Sequence, residues 1–145
     1  MGSPKPSPPE RSIVAGKIMY DGTSIPIRIT YKQAMFDFKD MGLNLLSIFK
    51  DEKTIMTIMA DDEIMVNVWY SYIKDYTSSF EKAVEKLTPE DMHKFKEVFW
   101  DEVINFTAPP MRPILVTMMD QVREALSSAP KNLKEAYSKS LDEQE

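Results

Sequence analysis

Lys17-Ile-Met-Tyr-Asp-Gly-Thr-Ser-Ile-Pro-Ile-Arg-Ile-Thr30 runs straight into Tyr31-Lys-Gln-Ala-Met-Phe-Asp-Phe-Lys-Asp-Met-Gly42, and the hydrophobic period changes at the join. In the first stretch Ile25, Ile27 and Ile29 alternate with Pro26 and Arg28, the two-residue repeat of a strand with one packed face. Asp21-Gly22 supplies the positive φ angles of a tight hairpin turn. The reading predicts strands over Ile13 to Tyr20 and Ser24 to Thr30. Pro26 cannot donate to a ladder, which puts it on an edge or at a bulge. A lone hairpin is marginal in water, so the isoleucine face must lie on helices. The second stretch supplies the first of them. Thr30 is the expected N-cap, Met35, Phe38 and Met41 the expected inner stripe with Ala34 and Phe36 beside it, and Gly42 the left-handed stop. Leu45, Leu46 and Phe49 follow as a short apolar segment.

Further along, Asp51 to Met59 suits one or two helical turns. Asp61 or Asp62 opens a helix carrying Ile64, Met65, Val68, Trp69, Tyr72 and Ile73, apolar most of the way round. Thr77 to Leu87 fits a short helix bearing Phe80, Val84 and Leu87. Thr88-Pro89-Glu90-Asp91 is the clearest start in the chain: threonine caps, proline takes the first position, and two acids face the positive end of the dipole. Met92, Phe95, Phe99, Val103 and Phe106 form its stripe, and Pro109-Pro110 stops it. Pro113 opens a helix with Leu115, Met118, Met119, Val122 and Leu126, which Ser127 to Pro130 is expected to break before a charged helix from Lys131 to Leu141. The fold class is therefore α+β, mainly α, with an N-terminal β-hairpin packed on a bundle of about five helices. Residues 1–12 read as a proline-rich arm, 13–128 as the hairpin and helical-bundle domain, and 129–145 as a charged C-terminal helix or tail.

Composition excludes several partners. With 18 Lys and Arg against 23 Asp and Glu the net charge is −5, and the basic residues are interleaved with acids, so no nucleic-acid partner is expected. Asp61-Asp62-Glu63 interrupts the longest apolar candidate for a membrane span, so no membrane partner is expected either. The N-terminus lacks a signal-peptide pattern, and Pro6 occupies the place where a myristoylation motif wants Ser or Thr. The chain has no cysteine, which fits a reducing cytoplasm. Pro6-Ser-Pro-Pro9-Glu-Arg11 matches a PxxPxR docking motif, a short pattern that an inert proline-rich leader also produces.

Chemistry-bearing constellations are scarce. The only histidine is His93, no serine sits in a nucleophile elbow, and no glycine-rich phosphate loop is present. His93, Glu97 and Asp101 share a helix face at spacings of four and four. Among Lys94 and Lys96 they read as a solvated, charge-mixed face. Asp61-Asp62-Glu63 lacks the alternation and central glycine of an EF-hand, so it reads as helix capping. No catalytic residue, cofactor or metal is expected. Methionine is the compositional oddity at 11 residues, since it fills irregular gaps or lines adaptable binding surfaces. The candidate partner contacts are Trp69, Tyr72, Trp100, Met111, Met118 and Met119. Tryptophan on an apolar helix also suits a core, though Trp100 stands off its helix's main stripe.

The order of these pieces resembles the tail assembly chaperones of long-tailed bacteriophages and their prophage relatives. The likeness is carried by Ile25-Pro-Ile-Arg-Ile-Thr30 closing a hairpin, by Asp40-Met-Gly-Leu-Asn-Leu-Leu46, and by Met59-Ala-Asp-Asp62 opening a helix through Val66-Asn-Val-Trp-Tyr70. Phe80-Glu-Lys-Ala-Val84 and Val103-Ile-Asn-Phe106 before Pro109-Pro110 continue it. It spans Ile13 to Leu126 and rests on order and spacing rather than on an invariant signature; the proline-rich leader stands outside it. The resemblance implies a non-enzymatic protein of the host cytoplasm that binds the long, largely helical tape-measure protein, keeps it soluble, self-associates, and is absent from the finished virion. The rival expectations are a tail completion or connector subunit retained in the particle, and a regulatory adaptor working through its proline-rich arm.

Overall fold

Asp21 and Gly22 have φ angles of 51° and 80°, the pair of left-handed residues that a type I′ turn needs. They join β1 (Gly16–Tyr20) to β2 (Thr23–Ile27) in an antiparallel pair, with Ile18 opposite Ile25 and Lys17 opposite Pro26. A computed structural model describes residues 16–144, and their side chains as far as Ser128; the proline-rich arm and the first residues of the expected strand lie outside that range. The two-residue turn makes Tyr20 and Thr23 the first hydrogen-bonded pair. Counting back, Lys17 and Pro26 fall at a non-hydrogen-bonded position, where a missing N–H costs the ladder nothing. Ile18, Ile25 and Ile27 are buried on one face, whereas Lys17, Met19, Ser24 and Pro26 are exposed on the other.

β2 ends at Ile27 rather than at Thr30, because Thr30 is used as a cap. Its Oγ1 accepts the Gln33 N–H at 3.1 Å, and Gln33 Oε1 accepts the Thr30 N–H at 2.8 Å. That reciprocal capping box opens α1, residues 31–40. Here the expected stripe is corrected. The backbone over Gln33–Asp37 is wound as a π-helix, at about 4.4 residues per turn. That winding swings Met35 away from Phe38. Ala34 and Phe38 are fully buried, Met41 is partly buried, and Met35 and Phe36 face solvent. At Gly42, φ is 98°. Its N–H donates to Lys39 O and the Leu43 N–H to Phe38 O, a Schellman stop that drops Leu43 into the core.

The remaining helices each carry a local start signal. Asp51 caps α2 (Glu52–Ala60), Asp61 caps α3 (Asp62–Ile73) and Ser79 caps α4 (Phe80–Glu85). Thr88 and Asp91 form a second capping box on α5 (Pro89–Phe106). Each such cap is worth about 1 kcal/mol. Asp61 thus does the capping, while Asp62 pairs with Lys96, tying the start of α3 to α5. In α4 the inner residue is Ala83; Phe80 is exposed and meets Tyr70 edge-on at 5.0 Å. Arg112 turns the corner out of α5 by donating to Thr107 O at 3.0 Å and Asn105 O at 2.9 Å. It begins α6 (Arg112–Gln144), which runs unbroken through the expected interruption at Ser127 to Pro130. Ser127 and Ser128 donate their hydroxyls back to Glu124 O and Ala125 O, so they follow the helix instead of capping a new one.

The core gathers around α5. Phe95 and Phe99 are fully buried, and Phe99 meets Phe38 of α1 edge-on at 5.7 Å. β1 crosses α5 so closely that a Cβ on Gly16 would stand 2.5 Å from Val98 Cγ1. Beside that crossing the buried carboxylate of Glu102 accepts the Gly16 N–H at 3.1 Å and an N–H of Asn105 at 3.4 Å. Gly16→Ala should therefore destabilise the fold by about 1–3 kcal/mol. In a Val98→Ala background the same change should cost much less, and urea unfolding of the four chains of the cycle measures the difference.

Candidate functional site

The six expected partner contacts divide by burial. Trp69, Trp100 and Met119 are 4%, 6% and 5% exposed, so they serve the core rather than an outer face. Tyr72, Met111 and Met118 are partly buried. Trp100 goes in despite standing off the main stripe because β1, α3 and α6 all pack on α5, leaving that helix little free circumference. Its indole N–H finds no acceptor among the described residues, a cost of about 1–3 kcal/mol carried by the ring's apolar burial. Trp69 packs edge-on to Tyr20 at 6.1 Å, anchoring the hairpin to α3.

Tyr72 is a structural tie. Its hydroxyl donates to Arg28 O at 2.5 Å, fixing the strand-to-helix connection against α3, while its ring lies 6.1 Å from Phe95 and 6.3 Å from Phe38. Burial pushes the phenol well above its ordinary pKa near 10; the charge of Glu102 pushes the same way, and a hydrogen bond with Gln33 opposes both. The His93 face is solvated as expected: Nε2 lies 3.6 Å from Glu97 Oε2, with side chains 72% and 68% exposed. Among the described residues no group of three His, Cys, Asp or Glu side chains is placed to hold a metal ion.

What sequence reasoning missed is the outer side of α1. Tyr31, Met35 and Phe36 are 66%, 48% and 57% exposed. At about 4.4 residues per turn, positions four and five after Tyr31 come round to its own side, so the π winding collects all three. The Tyr31 ring also lies 4.8 Å from that of partly buried Phe106, extending the surface onto the end of α5. Leu46 and Met56, and Ile114 and Val116 on α6, are further exposed apolar side chains. The aromatic side of α1 is the candidate site.

No protein-family model, curated protein or solved structure matches this chain. Among the described residues no helix is long and apolar enough to cross a membrane.

The raised phenol of Tyr72 has a stability consequence. Below about pH 10 Tyr72 is neutral in both states; above it the unfolded chain releases the proton and the folded one retains it, so stability falls as pH rises. Urea midpoints measured between pH 9 and pH 11 should decline in the parent chain and flatten in Tyr72→Phe. That variant should also be weaker at neutral pH by about 1 kcal/mol for the lost hydrogen bond.

Proposed function

We propose that the protein is a non-enzymatic tail assembly chaperone, which binds the tape-measure protein in the host cytoplasm and keeps it soluble until the tail tube forms. The observation that carries this reading is the exposed side of α1, where Tyr31, Met35 and Phe36 stand in solvent beside Phe106. A long helical partner presents apolar stripes that repeat along its length. A flexible methionine between two rings accommodates such stripes without strict shape matching. The order of hairpin, glycine-stopped helix and proline-broken α5 supports the same reading through its likeness to that family. The net charge of −5 suits a chaperone that must keep its complex dispersed.

Coexpression with the long helical protein encoded just downstream tests the proposal. Tape measure should become soluble and co-purify with the chain. Tyr31→Glu/Phe36→Glu should reduce co-purification at least about tenfold, as expected when central aromatic contacts are lost, and leave the melting temperature within a few degrees because both side chains are exposed. Unchanged solubility and co-purification on coexpression would overturn the reading, and stoichiometric retention of the chain in purified virions would replace it with a structural tail subunit.

A further inference from the structure

The chain enters the fold at the edge of the aromatic cluster. Gly16, the first described residue, donates its N–H to Glu102. Phe106 stands one turn further along the same side of α5, a rise of about 6 Å, and its ring lies 4.8 Å from that of Tyr31. The hairpin leads to the same place. Gly16 is paired with Ile27, so β1 begins at the end of the sheet from which β2 runs on to Tyr31. The root of the proline-rich arm and the ring pair are therefore neighbours by two independent routes.

The arm has the chemistry that such a surface takes. Pro4, Pro6, Pro8 and Pro9 lie in it. Proline-rich segments dock on clustered aromatic rings, and a backbone whose φ is already fixed loses little freedom in doing so. Tyr31, Phe36 and Phe106, with Met35 among them, supply the rings. Reach is ample: the seven residues from Pro9 to Gly16 span about 24 Å when extended, whereas one turn of α5 separates the arm's root from Phe106. Connection then selects this occupant over a free one. A segment on a short tether is present at millimolar effective concentration, so contacts too weak to hold a separate proline-rich peptide hold this one. We propose that residues 4–9 fold back onto the Tyr31, Phe36 and Phe106 rings of their own chain, as a cover that a partner docking there displaces. The displacement rests on the function proposed for that face; the contact itself does not.

The test uses the full chain. It has no cysteine, so Ser7→Cys gives a single attachment point for a nitroxide. With the methionine methyl groups ¹³C-labelled, the Met35 signal should weaken at least about twofold against the reduced label, the occupancy a millimolar tether gives a millimolar contact. Met19, exposed at the turn end of the hairpin, should keep its intensity. Pro4→Ser/Pro6→Ser/Pro8→Ser/Pro9→Ser keeps the tether's length and should restore the Met35 signal, as should Phe36→Glu. Weakening that survives both changes is tether proximity alone and would overturn the proposal. Equal weakening at Met19, or none at Met35, would do the same. So would weakening of Met35 when an isotope-labelled chain is mixed with a separate nitroxide-labelled one, which would put the arm on a second copy. The serine variant should also bind the partner proposed for this face at least about twofold more tightly, because the uncovered fraction rises. A partner that does not bind at all counts against that proposed function, and the Met35 signal alone then decides the contact.

Discussion

Everything in this fold depends on how closely β1 lies on α5. A two-stranded sheet is marginal at best on its own, and the isoleucine face of the hairpin is buried where Gly16 lets the strand descend onto Val98. That descent takes a backbone N–H out of water, and the buried Glu102 carboxylate receives it. A carboxylate removed from solvent is expensive unless its oxygens are bonded. The glycine, the small contact and the acid therefore form one device, in which each part makes the other two tolerable. Trp69 then fixes the far end of the strand through Tyr20, so the hairpin is held at both ends and its register against the helices is set.

Much of the architecture was legible because local rules and tertiary packing agree along this chain. The Asp21-Gly22 turn, the Thr30 cap, the Gly42 stop and the Thr88 capping box each sit where short-range chemistry puts them, and each is found there. The failures share a different physical cause. Helical periodicity assumes 3.6 residues per turn, so a π turn inside α1 rotated the expected stripe and exposed Met35. Proline and serine propensity puts a break after Leu126 because it counts the N–H lost at Pro130, but not the serine hydroxyls that bond back to the preceding turn.

The candidate site was less legible than the fold, for a reason seen in the tryptophans. Aromatic and methionine residues are enriched in cores as well as at hot spots, and residue type alone cannot separate the two uses. Trp69, Trp100 and Met119 went to the core because α3, α5 and α6 each have more than one packed side. Tyr31 and Phe36 went to the surface because α1 lies at the margin, with room inside for only Ala34 and Phe38. The deciding quantity is the circumference each helix has left after packing, and a single sequence does not contain it.

The π turn is where fold and surface meet. An i→i+5 winding inside a short helix holds its hydrogen bonds less favourably than an α turn, so it persists where the surroundings over-determine it. Here both ends of α1 are pinned: Thr30 and Gln33 cap one end, the Gly42 stop closes the other, and Ala34 and Phe38 must both reach the core. Between those anchors the extra residue in the turn has one outlet, which is outward. Regular α winding would bring Met35 nearer the Phe38 face and carry Phe36 away from Tyr31, dispersing the apolar side that the π turn assembles. The exposed cluster is thus a product of how the helix is clamped, and it is as rigid as the core contacts that clamp it.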